Sequence, residues 1–253
     1  MFPQTDPSGR FSFKIYKLAN LYHNSPILTI SEPIMSLAEQ LENLTAYYKE
    51  NRTDFNDNFR LKMHRTLSWL KKANEEENLE LQFIALWIAF NAAYADELNK
   101  EEVERKVFHQ FITRLCELDT ERLLYGIIWD EFPGAVRTLL DTPYTFQPFW
   151  DAHNGLLAGK EWKTMFAAAK KKANFAFEEQ ETAEVLEVVF GHLYTLRNQL
   201  IHGGSTYDSS ANRKQLEDAC ALLSLFVPAM VKIMLRNDNE PTWGKPYYPY
   251  VQQ

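Results

Sequence analysis

Cysteine is nearly absent: Cys116 and Cys220 are the only two in 253 residues, and neither belongs to a C-x-x-C or sits at metal-ligand spacing from a histidine. That excludes a disulfide framework and a cysteine-based zinc site, and it fits a reducing, cytoplasmic setting. Positive charge is also in deficit. Lys and Arg total 27 against 34 Asp and Glu, a net charge of -7, so broad electrostatic adhesion to nucleic acid or to acidic membranes is excluded and any RNA contact has to be local. The longest apolar stretches are interrupted by Asn91, Ser224 or Pro228, and the opening MFPQTDPSGR lacks the basic-then-apolar layout of a signal peptide. Neither a membrane span nor a secretory leader is expected. There is no G-x-S-x-G, P-loop, G-x-G-x-x-G, H-E-x-x-H or EF-hand loop, and no internal repeat, which removes the commonest hydrolase, nucleotide and metal signatures.

What is present is apolar spacing of helical period, in a chain whose 45% hydrophobic content can fill a sizeable core. The expected fold class is all-α. Residues 1–30 carry two turn-forming prolines in the first seven positions and short alternating stretches, read as an extended arm with a short strand. Ser31 and Pro33 signal a helix start, with Ile34, Leu37, Leu41, Leu44 and Tyr48 in period. Thr53-Asp54 signals the next start, with Phe55, Phe59, Met63, Leu67 and Leu70 as its stripe. These two should form a helical hairpin. Leu79 to Asp96 is apolar nearly all round and should be a buried central helix. Residues 101–118 make a further amphipathic helix, 119–160 are broken by prolines and glycines into short pieces, and 212–236 is a long helix that Pro228 should kink. The domain is thus expected over 31–236, with an aromatic, proline-rich tail at 237–253 that packs back on it.

The most informative segment is a helix over about 181–202, ending VFGHLYTLRNQLIHGG. Leu186, Val189, Leu193, Leu196 and Leu200 form a core stripe. Gly191, Thr195, Asn198 and His202 recur on the other side at steps of three or four, none permanently charged, where a solvated face would show Lys and Glu. Gly191 costs roughly 1 kcal/mol against Ala inside a helix, so a close backbone neighbour is expected beside it. Gly203-Gly204 should close the helix, and Arg197 lies on the flank beside Phe190, Tyr194 and Ile201.

At Arg197-Asn198-Gln199-Leu200-Ile201-His202 the sequence resembles the R-x4-6-H signature of HEPN domains, including the polar residue after the Arg. The resemblance implies an antiparallel helical bundle that forms a homodimer through the signature helix, and a metal-independent endoribonuclease with Arg197, Asn198 and His202 as catalytic residues. Many members belong to toxin-antitoxin, stress or anti-phage systems, so RNA and an antitoxin or regulatory protein are the implied partners. No cofactor and no metal are implied. Other members act as non-catalytic dimerisation or nucleotide-binding modules, and that alternative stays open.

Supporting residues are proposed around this cluster. Thr195 lies on the uncharged face. Asn91, the one amide in the apolar helix, either hydrogen-bonds into that face or is satisfied locally. Lys170, Lys171 and Lys172, beside Trp162, Phe166, Phe175 and Phe177, are either a single-strand-binding patch or a solvated face. The one-turn pairs Arg60 with His64 and Arg105 with His109 are expected on the surface, and His192 is expected to be structural.

Overall fold

Ser36-x-x-Glu39 is a capping box, and it starts the first helix. The Ser36 hydroxyl accepts from the Glu39 N–H at 3.3 Å while the Glu39 carboxylate accepts from the Ser36 N–H at 2.8 Å. The computed structural model describes residues 35–94, 101–131, 133–246, 248 and 249, with side chains from 106 in the second stretch, and every regular element among them is helical. α1 (Leu37–Asn51) therefore starts at Ser36, whereas the expected start at Ser31 and Pro33, like the arm over 1–30, lies outside the described residues. α2 (Asp57–Asn74) starts at Asn56 rather than Thr53-Asp54. The Asn56 side chain accepts from the Phe59 N–H at 2.9 Å, and Phe55 just before it packs 5.2 Å from the Phe59 ring, which fixes where the chain turns in.

α3 (Leu79–Tyr94) is the expected central helix, with Phe83, Leu86, Ala89, Phe90 and Ala93 buried. α4 (Glu101–Leu118) follows. The proline-broken middle is indeed a series of short pieces: α5 (Leu123–Gly126), a π-helical turn at Ile127–Glu131, α6 (Pro133–Asp141), a 3-10 turn at Pro143–Thr145 and α7 (Gln147–His153). Three long helices complete the fold: α8 (Glu161–Glu178), α9 (Thr182–Ile201) and α10 (Arg213–Arg236).

The centre of the core is where α3, α9 and α10 meet. Phe90, Phe190 and Phe226 lie with ring centroids 4.6, 4.9 and 6.2 Å apart, each burial contributing about 2–3 kcal/mol of transfer free energy. Phe90 faces Phe190 and Trp87 faces Tyr194, so α3 runs antiparallel to α9. α2 and α10 pack along α3, α1 lies on α2 and α10, and α4 and α8 flank α9. By length and composition α10 could cross a membrane, but 78% of its apolar window is buried inside this fold. The core accounts for that apolarity. The helix continues through the buried Pro228 to Arg236, giving up one ladder hydrogen bond there.

The tail packs back as expected. Trp243, in a 3-10 turn at Pro241–Trp243, is buried against Phe111, and Arg114 forks onto Glu240 at 2.7 and 3.0 Å. Beneath it lies a residue whose burial nothing in the helical period announces. Lys62 on α2 is wholly enclosed, and its ammonium donates to the carbonyls of Ala93 and Trp243.

Candidate functional site

α9 positions the signature residues through its buried side. Leu186, Val189, Leu193 and Leu196 are buried as the stripe predicts, and Leu200 packs against the core at the end. The helix then closes by the Gly-Gly pair. Gly203 takes φ +69°, its N–H reaches the Leu200 carbonyl at 3.3 Å, and the Gly204 N–H reaches the Gln199 carbonyl at 2.7 Å, the paired bonds of a left-handed C-terminal stop. His202 is the capping residue, with its backbone N–H on the Asn198 carbonyl at 3.0 Å and its side chain exposed.

Arg197, Asn198 and His202 are thereby brought to one end of one helix. The Arg197 guanidinium donates to the Asn198 side-chain oxygen at 2.9 Å and lies 6.0 Å from the Tyr194 ring centroid. It is half-buried, and no carboxylate among the described residues pairs with it. The helix stays wound to Ile201, so five residues leave Arg197 and His202 separated by about 140° around the axis and about 7.5 Å along it. A single chain presents two diverging groups.

The supporting residues do not all converge here. Thr195, expected on the open face, is buried at 2% exposure, and its hydroxyl donates back to the Gly191 carbonyl at 3.2 Å. Packing from neighbouring elements covers a position that the helical wheel alone leaves outside. Gly191 also departs from expectation: a β-carbon there would meet nothing within 4 Å, so no backbone among the described residues approaches it. Asn91 is half-exposed and forms no hydrogen bond to α9 among the described residues. The α3–α9 register sets it level with Phe190, seven residues and about 10 Å short of Arg197.

Two of the three lysines are engaged elsewhere. Lys170 pairs with Asp141 at 2.8 Å and Lys172 with Glu184 at 2.6 Å, while Lys171 is exposed. Glu184 is in the first turn of α9, eighteen residues and about 27 Å from His202 along the axis. The lysine run and the signature end are not one surface.

His192 is structural, as expected. It is buried, its Nδ1 lies 2.8 Å from the Thr145 hydroxyl, and burial lowers its pKa to about 4. Burial pushes the Cys116 and Cys220 thiols up to about 12, which keeps both as thiols and unsuited to nucleophilic roles. Arg60 pairs with Asp57 at 2.5 Å, leaving His64 exposed. His109 pairs with Glu187, and the Arg105 side chain of the expected pair is outside the described residues. With Glu184, these two bring three ligand-type atoms within 4.8 Å of one another. They belong to the far end of α9, and Lys172 already occupies Glu184.

Sequence reasoning passed over the groups that frame the His202 end. Gln199 donates to the Tyr144 carbonyl at 2.6 Å and accepts from Asn212 at 3.0 Å, tying α9 to the segment before α7 and to the start of α10. Arg213 forks onto Glu80 and reaches Asp208, and Asn78 donates to the Tyr207 hydroxyl, so the loop after the Gly-Gly stop is held against the start of α3. Hydrogen bonding to Glu80 holds the Arg213 guanidinium above its ordinary pKa, and the Glu80 carboxyl is lowered despite its burial. The one sequence signal was Gln199 itself, a polar residue inside the signature.

No family model matches the chain, and neither a curated protein nor a solved structure does. What the α9 end can do follows from its own chemistry. It offers one solvent-exposed imidazole, one guanidinium with no carboxylate on it, and an amide that touches the guanidinium by side chain and His202 by backbone.

Proposed function

We propose that the protein is a HEPN-type endoribonuclease that cleaves single-stranded RNA without a metal ion, in the cytoplasm, as a toxin, stress or defence effector. The observation that carries this is an Arg197 guanidinium without a carboxylate among the described residues on the same closed helix end as an exposed His202. Imidazole is the side chain that exchanges protons near neutral pH, so it can take the proton from a ribose 2'-hydroxyl. The hydroxyl oxygen then attacks the adjacent phosphate, and a guanidinium stabilises the charge that develops on it. Asn198 holds Arg197 in place through its side-chain oxygen.

The reaction also needs an acid for the departing 5'-oxygen, and one chain supplies one such histidine. A twofold homodimer provides the second and removes the difficulty of the 140° divergence, because Arg197 of one copy can face His202 of the other. The pairing surface best suited to this is the exposed stripe Tyr194, Arg197 and Ile201, at 47% exposure for Tyr194 and 52% for Ile201. Gly191 and Thr195 are less suited, since Thr195 is covered. A regulatory or antitoxin protein would act by masking the same stripe.

Digestion of single-stranded RNA in EDTA tests the proposal. Cutting that leaves a 2',3'-cyclic phosphate and a 5'-hydroxyl is expected, and absence of cutting by a properly dimeric protein rejects it. One observation favours a second reading, a non-catalytic dimerisation or nucleotide-binding module: the net charge is -7 and the lysine run is paired with acids. On that reading Arg197→Ala and His202→Ala impair assembly and there is no nuclease activity to lose.

A further inference from the structure

α7 carries two large rings, Phe149 and Trp150, and leaves both only half-buried. Its sequence is QPFWDAH, yet no residue in it is buried. Around it the rings form one continuous surface group. Phe149 is the hub, with Tyr144 at 5.4 Å, Trp150 at 5.1 Å and Trp162 at 5.0 Å, all three close to edge-on at 83–88°. The His153 ring lies 4.1 Å from Phe149. Tyr144 is 51% exposed and the other rings are half-buried or exposed. Clustered rings only partly covered at a surface are the kind of feature that serves as a contact site.

The group is also rigid. The Trp150 indole N–H donates to the Tyr144 carbonyl at 2.8 Å, the same carbonyl that takes the Gln199 amide, and His153 Nδ1 lies 2.7 Å from the Phe149 carbonyl. Rings already held in place lose little freedom when a flat ligand stacks on them. Lys163 lies 5.7 Å from the Trp162 centroid. Lys160 and Lys163 are offset by Asp151 and Glu161 over the same stretch, so the patch carries no excess of either sign. Stacking, not phosphate attraction, is what it offers.

We propose that Tyr144, Phe149, Trp150 and Trp162 form a stacking platform for unpaired bases of single-stranded RNA. This deepens the nuclease reading of the α9 end and rests on it for the choice of RNA. The Gln199 bond fixes the platform to α9 one residue from Asn198 and three from His202. On the helix Gln199 lies about 60° around the axis and about 4.5 Å along it from His202, and about 160° around from Arg197, so bases stacked on the rings lie on the side of α9 that presents His202. Every base has a π-face, so the platform tolerates any sequence and selects for unpaired strands.

The test is binding of a fluorescein-labelled, fully 2'-O-methylated twelve-residue oligoadenylate, which cannot be cut by 2'-oxygen attack, followed by anisotropy on the full chain. Tyr144→Ala and Trp162→Ala should each weaken binding about tenfold, with Tyr144→Trp restoring it. Wild-type affinity should change little between 50 and 200 mM salt, because few counterions are released. Melting temperature serves as the folding control, and Tyr144, being half exposed, is the variant that must fold. Unchanged affinity in a folded Tyr144→Ala protein overturns the proposal. So does a loss of self-association with RNA affinity intact, which would make the rings a protein contact. The two readings separate cleanly: cutting of unmodified RNA with binding unaffected by the ring variants rejects the platform alone. Ring-dependent binding without any cutting in EDTA rejects the nuclease alone and leaves the platform standing.

Discussion

The two ends of α9 differ in how their polar side chains are partnered. At the start, Glu184 is paired with Lys172, Glu187 with His109, and the Thr182 hydroxyl accepts from the Trp129 indole at 3.1 Å. Hydrogen bonding to Glu184 raises the Lys172 pKa, as expected of an ammonium held by an acid. At the finish, Arg197 has an amide and a ring, and the His202 side chain has no hydrogen bond among the described residues. A half-buried guanidinium without an anion is held at some cost in stability. Among the described residues Lys170, Lys172, Arg114 and Arg213 have acids, whereas Arg197, like Arg65 with its Tyr248 carbonyl and Arg137 with its Phe177 ring, has none.

The sharpest attempt to break this contrast is a pair of histidine variants. His202→Ala should lower RNA cutting by about 10³-fold, the loss expected for a general base. Its melting temperature should stay near wild type, since the side chain is exposed. His109→Ala, at the other end, should cut normally, and equal loss in both variants would erase the distinction. Next in size is Arg197→Ala, expected to reduce single-turnover cutting by about 10²-fold through lost charge stabilisation. Arg197→Lys should recover only part of that, because an ammonium cannot present a planar fork.

Between the ends, His192 gives a stability effect instead of a catalytic one. Its folded pKa of about 4 lies below the value near 6.5 of a free imidazole, so the neutral form favours the fold. Its contribution is complete above pH 6.5 and falls away as pH drops toward 4, by on the order of 3 kcal/mol. Urea unfolding across that range should show the slope in wild type and a flatter one in His192→Gln. The smallest effect belongs to the paired start of the helix. Lys172 is mostly exposed, so Lys172→Ala should cost less than about 1 kcal/mol by the same urea measurement and leave cutting unchanged.

Much of this architecture could be read from local spacing. The apolar wrap of α3, the leucine stripe of α9 and the broken middle are properties of neighbouring residues, and they appear as expected. The joint position of Arg197, Asn198 and His202 is also local, fixed by their being on one helix. The start of α2 was less legible because two caps compete: Asn56 prevails over Thr53 once Phe55 is buried. What local spacing could not show was pairing across the chain. Lys172 looks free until α9 brings Glu184 beside it, Thr195 looks exposed until its neighbours cover it, and PYTFQPFW looks like a mere interruption until Gln199 fastens it to α9 through the Tyr144 carbonyl.

The enclosed ammonium of Lys62 has a consequence for how far the molecule can be trimmed. Its partner carbonyl on Trp243 comes from beyond the final long helix. A version cut back after Asn237 would retain α1 through α10 in sequence and yet strip a buried cation of one acceptor, a hydrogen bond to a charged group worth about 1.5–3 kcal/mol. The seemingly dispensable ending thus works as a bolt from outside, and the smallest cooperative unit of this protein extends past the last residue that any helical pattern would include.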